Sequence, residues 1–251
     1  MESKNTENIW LVFNFMEQRF FSKRYYQAII AVLSFLAIIL GQNILIKELT
    51  EFSFSRQLFG LTNILIFYLF LLLLFPLLVI RYIYREKTEK FFLNFFPENG
   101  FWFDFSIGLM LIIFLGLIGW RIGWLKFLPV SPFVEGNFWS LLIYSILFLP
   151  AITFCQEFFF RGFLLASLNR SLGIFGAIVG SGLMAVFFEQ KFLPWEDGNG
   201  WKIIALLLPV ALISSWLALK NRSILIPILI SLLIRYSIDG FVFYKIYLMT
   251  K

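Results

Sequence analysis

An acid and a base follow one another at helical spacing in the otherwise apolar stretch CQEFFFRGFL. Glu157 and Arg161 are four residues apart, so a helix places them on one face, in the favourable order of acid before base. Gln156 lies about 100° around the same helix from Glu157. In a membrane an ionisable side chain costs roughly 2.5 to 3.5 kcal/mol, so such a pair is either functional or neutralises itself to let the helix carry a hinge or a lipid contact.

Three further places carry charge within or beside apolar runs. In IRYSIDG, Arg235 and Asp239 are also four residues apart, in the weaker order of base before acid, and the same two interpretations apply. Asp104 begins an apolar run, where the partial positive charge of a helix N-terminus favours a carboxylate. Glu189 closes another run beside an amide and a lysine, which is typical of an acid at the membrane interface.

The chain has no histidine and one cysteine, Cys155. Imidazole is therefore excluded as general base, proton shuttle or metal ligand, and a thiolate zinc site needs more ligands than one cysteine. A Ser-His dyad and a His-Glu-x-x-His zinc protease are excluded for the same reason. A two-aspartate site would have to pair Asp104 with Asp239 without the motif that usually surrounds such residues. The sequence predicts no metal ion and no cofactor.

The composition excludes one compact soluble domain. Hydrophobic residues make up 60% of the 251 positions and charged residues 14%, whereas soluble domains are about 45 to 50% apolar and about 25% charged. The net charge of +6 does not indicate nucleic-acid binding, because the basic residues separate apolar runs instead of gathering on one face. We therefore expect an integral membrane protein in contact with membrane lipids.

Seven apolar runs approach the roughly 20 residues that a helix needs to cross a bilayer. They cover residues 26–45, 60–80, 105–120, 138–154, 172–188, 203–219 and 224–249. The last run is long enough to hide a break near Asp239 and Gly240, which would make eight spans. The predicted fold is an all-α, polytopic membrane helical bundle of seven or eight transmembrane helices. Its 34 phenylalanines are expected to face lipid.

The basic residues between the runs predict the orientation. Twelve Lys and Arg residues flank the spans on the side of the N-terminus, against six on the opposite side. The prediction is a multi-pass protein of a cytoplasmic-type cell membrane, with its N-terminus in the cytoplasm. Residues 1–24 are expected to form a cytoplasmic or interfacial segment, in which 9–21 fit either an amphipathic surface helix or a helix packed on the bundle. Residues 25–130 are assigned to N-terminal transmembrane helices and 131–251 to a transmembrane core.

The stretch QEFFFRG, from Gln156 to Gly162, resembles the first motif of the CPBP family of intramembrane proteases. That family contains the type II CAAX prenyl endopeptidase and bacteriocin-immunity-related proteins. Its pattern is Glu-Glu-x-x-x-Arg, typically followed by Gly, then Phe-x-x-x-His on the next helix and His-x-x-x-Asn or Asp on a later one. The resemblance covers about residues 138–240, including Ser223 and Pro227 at the start of the late helix, and implies a CPBP-like core.

In the first motif, this sequence keeps two of the family's three charged residues. Glu157 and Arg161 match the second glutamate and the arginine. Gln156 stands where the family's first glutamate is assigned to activating the attacking water. An amide cannot take up a proton at neutral pH, so the resemblance implies a site that has lost this base.

The later motifs lose both histidines. The second-motif histidine falls at Phe188 or Glu189, depending on a one-residue choice of register. The third-motif histidine falls at Ser231, and its Asn or Asp partner at Arg235. The resemblance therefore implies a family scaffold in which the positions used for the reaction are changed and those that look architectural remain.

These departures favour a catalytically degenerate CPBP-like protein that binds or stabilises a transmembrane partner or a lipid-like group without cleaving it. In this hypothesis Arg161 holds Glu157 ionised, while Arg235, with Asp239, offers a buried cation to a headgroup or to a partner's carboxylate. The alternative is a residual protease acting on prenylated or membrane-anchored peptides, in which Glu157 or Glu189 supplies the base. A transporter or channel component is a third class, against which stand the few polar residues in the spans and the lack of a visible inverted repeat.

Overall fold

The computed structural model describes residues 23–49, 65–91, 100–123, 142–190 and 200–249, and within these ranges it contains helices and no β-strand. The helices of this part of the chain are α1 (Lys23–Leu49), α2 (Leu65–Tyr84), α3 (Phe101–Arg121), α4 (144–172), α5 (174–190), α6 (Gly200–Asn221) and α7 (Leu225–Met249). The prediction of an all-α membrane bundle is confirmed. The expected N-terminal helix at 9–21 and the domain boundary near residue 130 lie outside the described residues.

Four helical segments are long and apolar enough to cross a membrane: Leu65–Tyr84, Phe101–Arg121, Tyr144–Glu189 and Ile204–Asn221. The third has 46 residues and folds back on itself at Gly173, where φ is 75° and ψ is 179°. Glycine adopts this conformation readily, whereas residues with a side chain rarely do. A straight helix would separate Phe160 from Phe188 by about 42 Å, yet their ring centroids are 5.3 Å apart. The segment therefore supplies two antiparallel helices, α4 and α5.

Two of the helices widen to π-helical hydrogen bonding just before a proline. In α2 the π-helical segment Leu69–Leu74 precedes Pro76, and in α4 the segment Tyr144–Phe148 precedes Pro150. Proline lacks an N–H, and its ring clashes with the carbonyl group four residues earlier. The wider turn relieves this clash and lets each helix continue through its proline.

A tight turn joins α6 to α7. Arg222 adopts a left-handed conformation with φ 47°, and the Ser223 hydroxyl accepts a hydrogen bond of 3.2 Å from the backbone N–H two residues on, which caps α7. Of the two alternatives of seven or eight spans, the one that needs a break near Asp239 and Gly240 is not realised, because α7 runs through both residues. A helix satisfies its backbone hydrogen bonds internally, so a single glycine does not end it in lipid. The described residues thus hold seven long helices, together with the short 3-10 helix Thr88–Phe91 after α2.

The centre of the bundle is aromatic. Phe159, Phe160, Phe163 and Phe188 are among the largest fully buried side chains. The expectation that phenylalanines face lipid is therefore wrong for the centre, although it holds at exposed positions such as Phe103, Phe114 and Phe175. The same core includes buried residues of α1 and α2, so the N-terminal helices and the later ones share one apolar interior.

Ion pairs between helices show which helix ends lie together. Arg170, near the end of α4, binds Glu86, just after α2, and also donates to the Gln27 side-chain oxygen near the start of α1 at 3.3 Å. Lys220, in the last turn of α6, binds Asp104 in the first turn of α3. Asp104 thus has the position at a helix N-terminus that the sequence predicted and a cationic partner as well.

The contacts of Arg170 and the ion pair of Lys220 with Asp104 lie at the same end of the bundle. Because α5 and α6 are antiparallel neighbours, joined by a contact of 3.0 Å between the Ser181 and Ser215 hydroxyls, the end of α6 is level with the turn at Gly173. We name this end, which carries Arg85, Arg170, Lys220 and Arg222, the basic end. Its members are residues that the charge pattern assigns to one side of the membrane. That this side is the cytoplasm stays a prediction.

Candidate functional site

Seven polar side chains from four helices meet near the middle of the bundle. This central cluster consists of Tyr68 on α2, Gln156, Glu157 and Arg161 on α4, Glu189 on α5, and Ser231 and Arg235 on α7. The family-equivalent positions, far apart in the sequence, are therefore brought together by the packing of the helices.

Glu157 is the buried acid of the cluster. Its Oε1 accepts a hydrogen bond of 2.6 Å from the Ser231 hydroxyl. Its Oε2 lies 3.3 Å from Nε of Arg161, and the two side chains are 6% and 7% exposed. These two atoms are not aligned for a hydrogen bond, and within the described residues neither has another hydrogen-bond partner. The helical pair read from the sequence is thus an ion pair in the structure, and a hydroxyl fills the place of the third-motif histidine.

Arg161 lies in a π-helical segment of α4, Phe158–Leu164, which begins directly after Glu157. Unlike the segments described above, this one is not followed by a proline within α4. Wide turns of this kind inside α-helices are frequent at functional sites. The backbone is therefore irregular at the point where the sequence resembles the family's first motif.

Arg235 connects three helices. Its Nη2 donates to the side-chain oxygen of Gln156 at 2.6 Å and to Oε1 of Glu189 at 2.9 Å. The sequence spacing had predicted a partner on the same helix, Asp239, which is buried one turn further along α7. Glu189, expected as an ordinary interfacial acid, forms an ion pair with Arg235. The Arg235 and Glu189 side chains are 28% and 35% exposed, so this half of the cluster is more open than the half around Glu157.

Tyr68 is the member of the cluster that sequence analysis missed. Its hydroxyl accepts a hydrogen bond of 3.5 Å from the side-chain nitrogen of Gln156, so both ends of that amide are bound. Phe188, one of the two positions for the second-motif histidine, packs edge-on against the Tyr68 ring with centroids 6.0 Å apart. The hydroxyl of Tyr68 is the only polar side-chain atom in the run FYLFLLLLFP, which is a weak signal in a sequence.

Four helices form a ring around the cluster. Within the described residues, α5 packs against α6, α6 against α7, α7 against α4, and α4 against α5. In addition, α4 touches α6 through its segment Phe158–Leu164. Since Arg235 belongs to α7 and Glu189 to α5, their ion pair spans the ring from one side to the other.

The donor set of the cluster does not fit a metal ion. In the part of the chain that the structure describes, no three His, Cys, Asp or Glu side chains gather in one place. Each of the two carboxylates in the cluster, on Glu157 and Glu189, faces a guanidinium group. Protein zinc sites rely on several His, Cys or carboxylate ligands, so the cluster supports no step that passes through zinc.

Chemically, the cluster is a charge-balanced hydrogen-bond network. Its two carboxylates stand against two guanidinium groups, and an amide and two hydroxyls link them. A general base has to be free to reach the proton it removes. Both oxygens of Glu157 face a partner, and the Gln156 amide oxygen is bound by Arg235. Of the two carboxylates, only Glu189 has an oxygen, Oε2, that takes part in none of these contacts.

Residues 137–236 match the family model of the type II CAAX prenyl endopeptidases, Rce1-like. The match covers less than half of the chain, and it includes every member of the central cluster except Tyr68. The resemblance to the CPBP family predicted from QEFFFRG is confirmed over this stretch. No curated protein and no solved structure matches the chain.

Proposed function

We propose that this protein is a catalytically degenerate CPBP-like intramembrane protein that binds or stabilises a transmembrane partner or a lipid-like group without cleaving it. One observation carries the proposal: the family-equivalent positions converge, but the side chains that replace the family's residues bind one another and the remaining acids. Gln156 is held by Arg235, and Ser231 by Glu157. The polar centre of the scaffold is thus kept while its water-activating groups are replaced.

The replacements act together. An amide at position 156 cannot remove a proton from water, and the chain has no imidazole that could do so in its place. Arg235 stands where the family has an amide or an acid, and its positive charge offsets Glu189. In this proposal Arg161 positions Glu157, and Arg235 presents N–H donors to the bound group.

Purification of the tagged, intact protein from membranes in a mild detergent tests the proposal. We expect mass spectrometry to find a protein or lipid at near-stoichiometric amount, and we expect Arg235→Gln to lose it. Arg121→Gln is the matched control, because Arg121 is an exposed arginine at the end of α3. Recovery of no stoichiometric protein or lipid would count against the proposal, as would equal loss in the control.

The second candidate is a residual protease in which Glu189 supplies the base. Two observations favour Glu189 over Glu157 for this role: it is 35% exposed, and its Oε1 alone takes part in the contacts described. The test is incubation of a fluorescent prenylated peptide with the wild-type protein in vesicles. Cleavage that disappears in Glu189→Gln and persists in Arg121→Gln would establish this alternative and remove the binding proposal. We expect no cleavage above that of empty vesicles.

A further inference from the structure

Within the described residues, Arg235 has side-chain N–H groups inside the ring of four helices that donate no hydrogen bond. A guanidinium group has five N–H donors. Both hydrogen bonds of Arg235 leave from Nη2, and within the described residues Nε and Nη1 donate to no acceptor. At bilayer depth an N–H group without an acceptor is costly, so a further acceptor beside Arg235 would be stabilised.

A carboxylate is the acceptor that the geometry favours. Glu189 already binds Arg235 with its own carboxylate, which shows that this group is reached by a carboxylate oxygen at 2.9 Å. Carboxylates bind guanidinium groups through two parallel hydrogen bonds, which a single oxygen of Glu189 does not use up. Glu189 lies next to the last residue of α5 and is partly exposed, so it can move aside for another carboxylate.

The depth of the site indicates what must carry this carboxylate. Arg235 lies about 15 Å along α7 from Leu225, and the hydrocarbon core of a bilayer is about 30 Å thick. A small water-soluble carboxylate would have only the attraction of the guanidinium to offset the loss of its hydration there. An alkyl chain adds to that attraction, because each buried CH2 group contributes about 0.8 kcal/mol.

We propose that Arg235 binds the carboxylate of a long-chain amphiphile, a free fatty acid in its simplest form, and that Glu189 is the internal competitor that occupies the site without it. This inference rests on the proposed function, since it selects the lipid-like group among the ligands considered there. Gln156 accepts a hydrogen bond from the same guanidinium and is itself bound to the Tyr68 hydroxyl.

Titration of the intact protein in nanodiscs with oleate tests the inference, with methyl oleate as the matched neutral ligand. We expect oleate to bind at least about tenfold more tightly than its ester, and Arg235→Gln to abolish this preference. Glu189→Gln is expected to tighten oleate binding severalfold, because it removes the competing carboxylate. Arg121→Gln should bind oleate as the wild type does.

Three outcomes would overturn the inference: equal binding of oleate and its ester, weaker oleate binding in Glu189→Gln, or tighter binding of a lysophosphatidate of the same chain length than of oleate. The gain expected from Glu189→Gln keeps the test decisive even where Arg235→Gln fails to fold. If oleate binds no more tightly than its ester while a protein partner still copurifies with the wild type, the proposed function stands and this inference is wrong. If a prenylated peptide is cleaved, the proposed function falls whatever oleate does.

Discussion

The central cluster and the ion pairs at the basic end use the same chemical groups in different surroundings. Lys220 is 43% exposed and its partner Asp104 is 6% exposed, whereas both Glu157 and Arg161 are buried, at 6% and 7%. An exposed ion pair contributes about 0 to 1 kcal/mol to stability. Removal of one partner from a buried pair costs about 3 to 5 kcal/mol, because the other charge is left unpaired. Removal of the exposed Lys220 should therefore cost less than removal of either member of the buried pair of Glu157 and Arg161.

This difference also bears on why the centre is polar. Replacement of a buried ion pair by apolar side chains of similar size is often neutral or stabilising. A bundle selected for stability alone would gain nothing from charges surrounded by Phe159, Phe160, Phe163 and Phe188. The retention of Glu157 and Arg161 therefore fits a requirement to bind something polar, in line with the proposed function.

The largest effect is expected from Glu157→Ala, which should lower the free energy of unfolding by about 3 to 5 kcal/mol because Arg161 stays buried without its acid. Cys155 offers a built-in reporter, since it is the only cysteine and is fully buried. The rate at which a thiol-reactive dye labels Cys155 on heating in detergent measures unfolding. The double variant Glu157→Leu with Arg161→Leu should recover most of the loss. A double variant as unstable as the single one would show that the ion pair is not the cause.

Arg235→Gln is expected to have the next largest effect and to lower the free energy of unfolding by about 3 kcal/mol, because it removes two hydrogen bonds that a charged group donates. Glu189→Gln should cost less, since its partner Arg235 keeps the bond to Gln156 and is partly exposed. The same dye-labelling measurement ranks the two variants. The reverse order would mean that Glu189, and not Arg235, holds the ring together.

The sequence predicts the helices well because apolar runs and helix-ending residues are local signals. The turn at Arg222 falls between two predicted runs, whereas the reversal at Gly173 falls just inside the run 172–188, and α4 continues well beyond the end of the run 138–154. The sequence left open a break near Gly240, which α7 does not have. A glycine lowers helix propensity locally, but a lipid environment requires every backbone group to be bonded within the helix, and this requirement overrides the propensity.

In the candidate site, too, contacts within one helix could be predicted and contacts between helices could not. The pairing of Glu157 with Arg161 is readable because both residues lie on one helix at a fixed spacing. The partner of Arg235 is not readable from spacing, because the choice between Asp239 and Glu189 depends on how α5 and α7 face one another. The participation of Tyr68 in the cluster is not readable for the same reason, because contacts between helices depend on packing and leave no periodic pattern in the sequence. The family resemblance supplied what spacing could not, by indicating which distant positions converge.

Ser231→Ala is expected to lower the free energy of unfolding by about 1.5 kcal/mol, because it removes one hydrogen bond to a charged group. Glu157 keeps its ion-pair partner Arg161 in this variant. Ser231→Thr keeps the hydroxyl and serves as the control. Dye labelling of Cys155 should place Ser231→Ala between the wild type and Arg235→Gln. A loss as large in the threonine variant would point to packing and not to the hydrogen bond.

The smallest effect is expected from Lys220→Ala at the basic end, where the free energy of unfolding should fall by about 1 kcal/mol, because only Lys220 is exposed and the buried Asp104 keeps a second source of stabilisation. Lys220 is 43% exposed, so water already solvates much of its charge. Its removal leaves Asp104 in the first turn of α3, where the helix N-terminus still favours a carboxylate. Any loss should shrink as salt is raised, because screening weakens exposed pairs more than buried ones, whereas the loss in Glu157→Ala should not change with salt. A salt-independent loss in Lys220→Ala as large as that of Ser231→Ala would contradict the difference between the basic end and the central cluster, since the end pair would then be as essential to the fold as the centre.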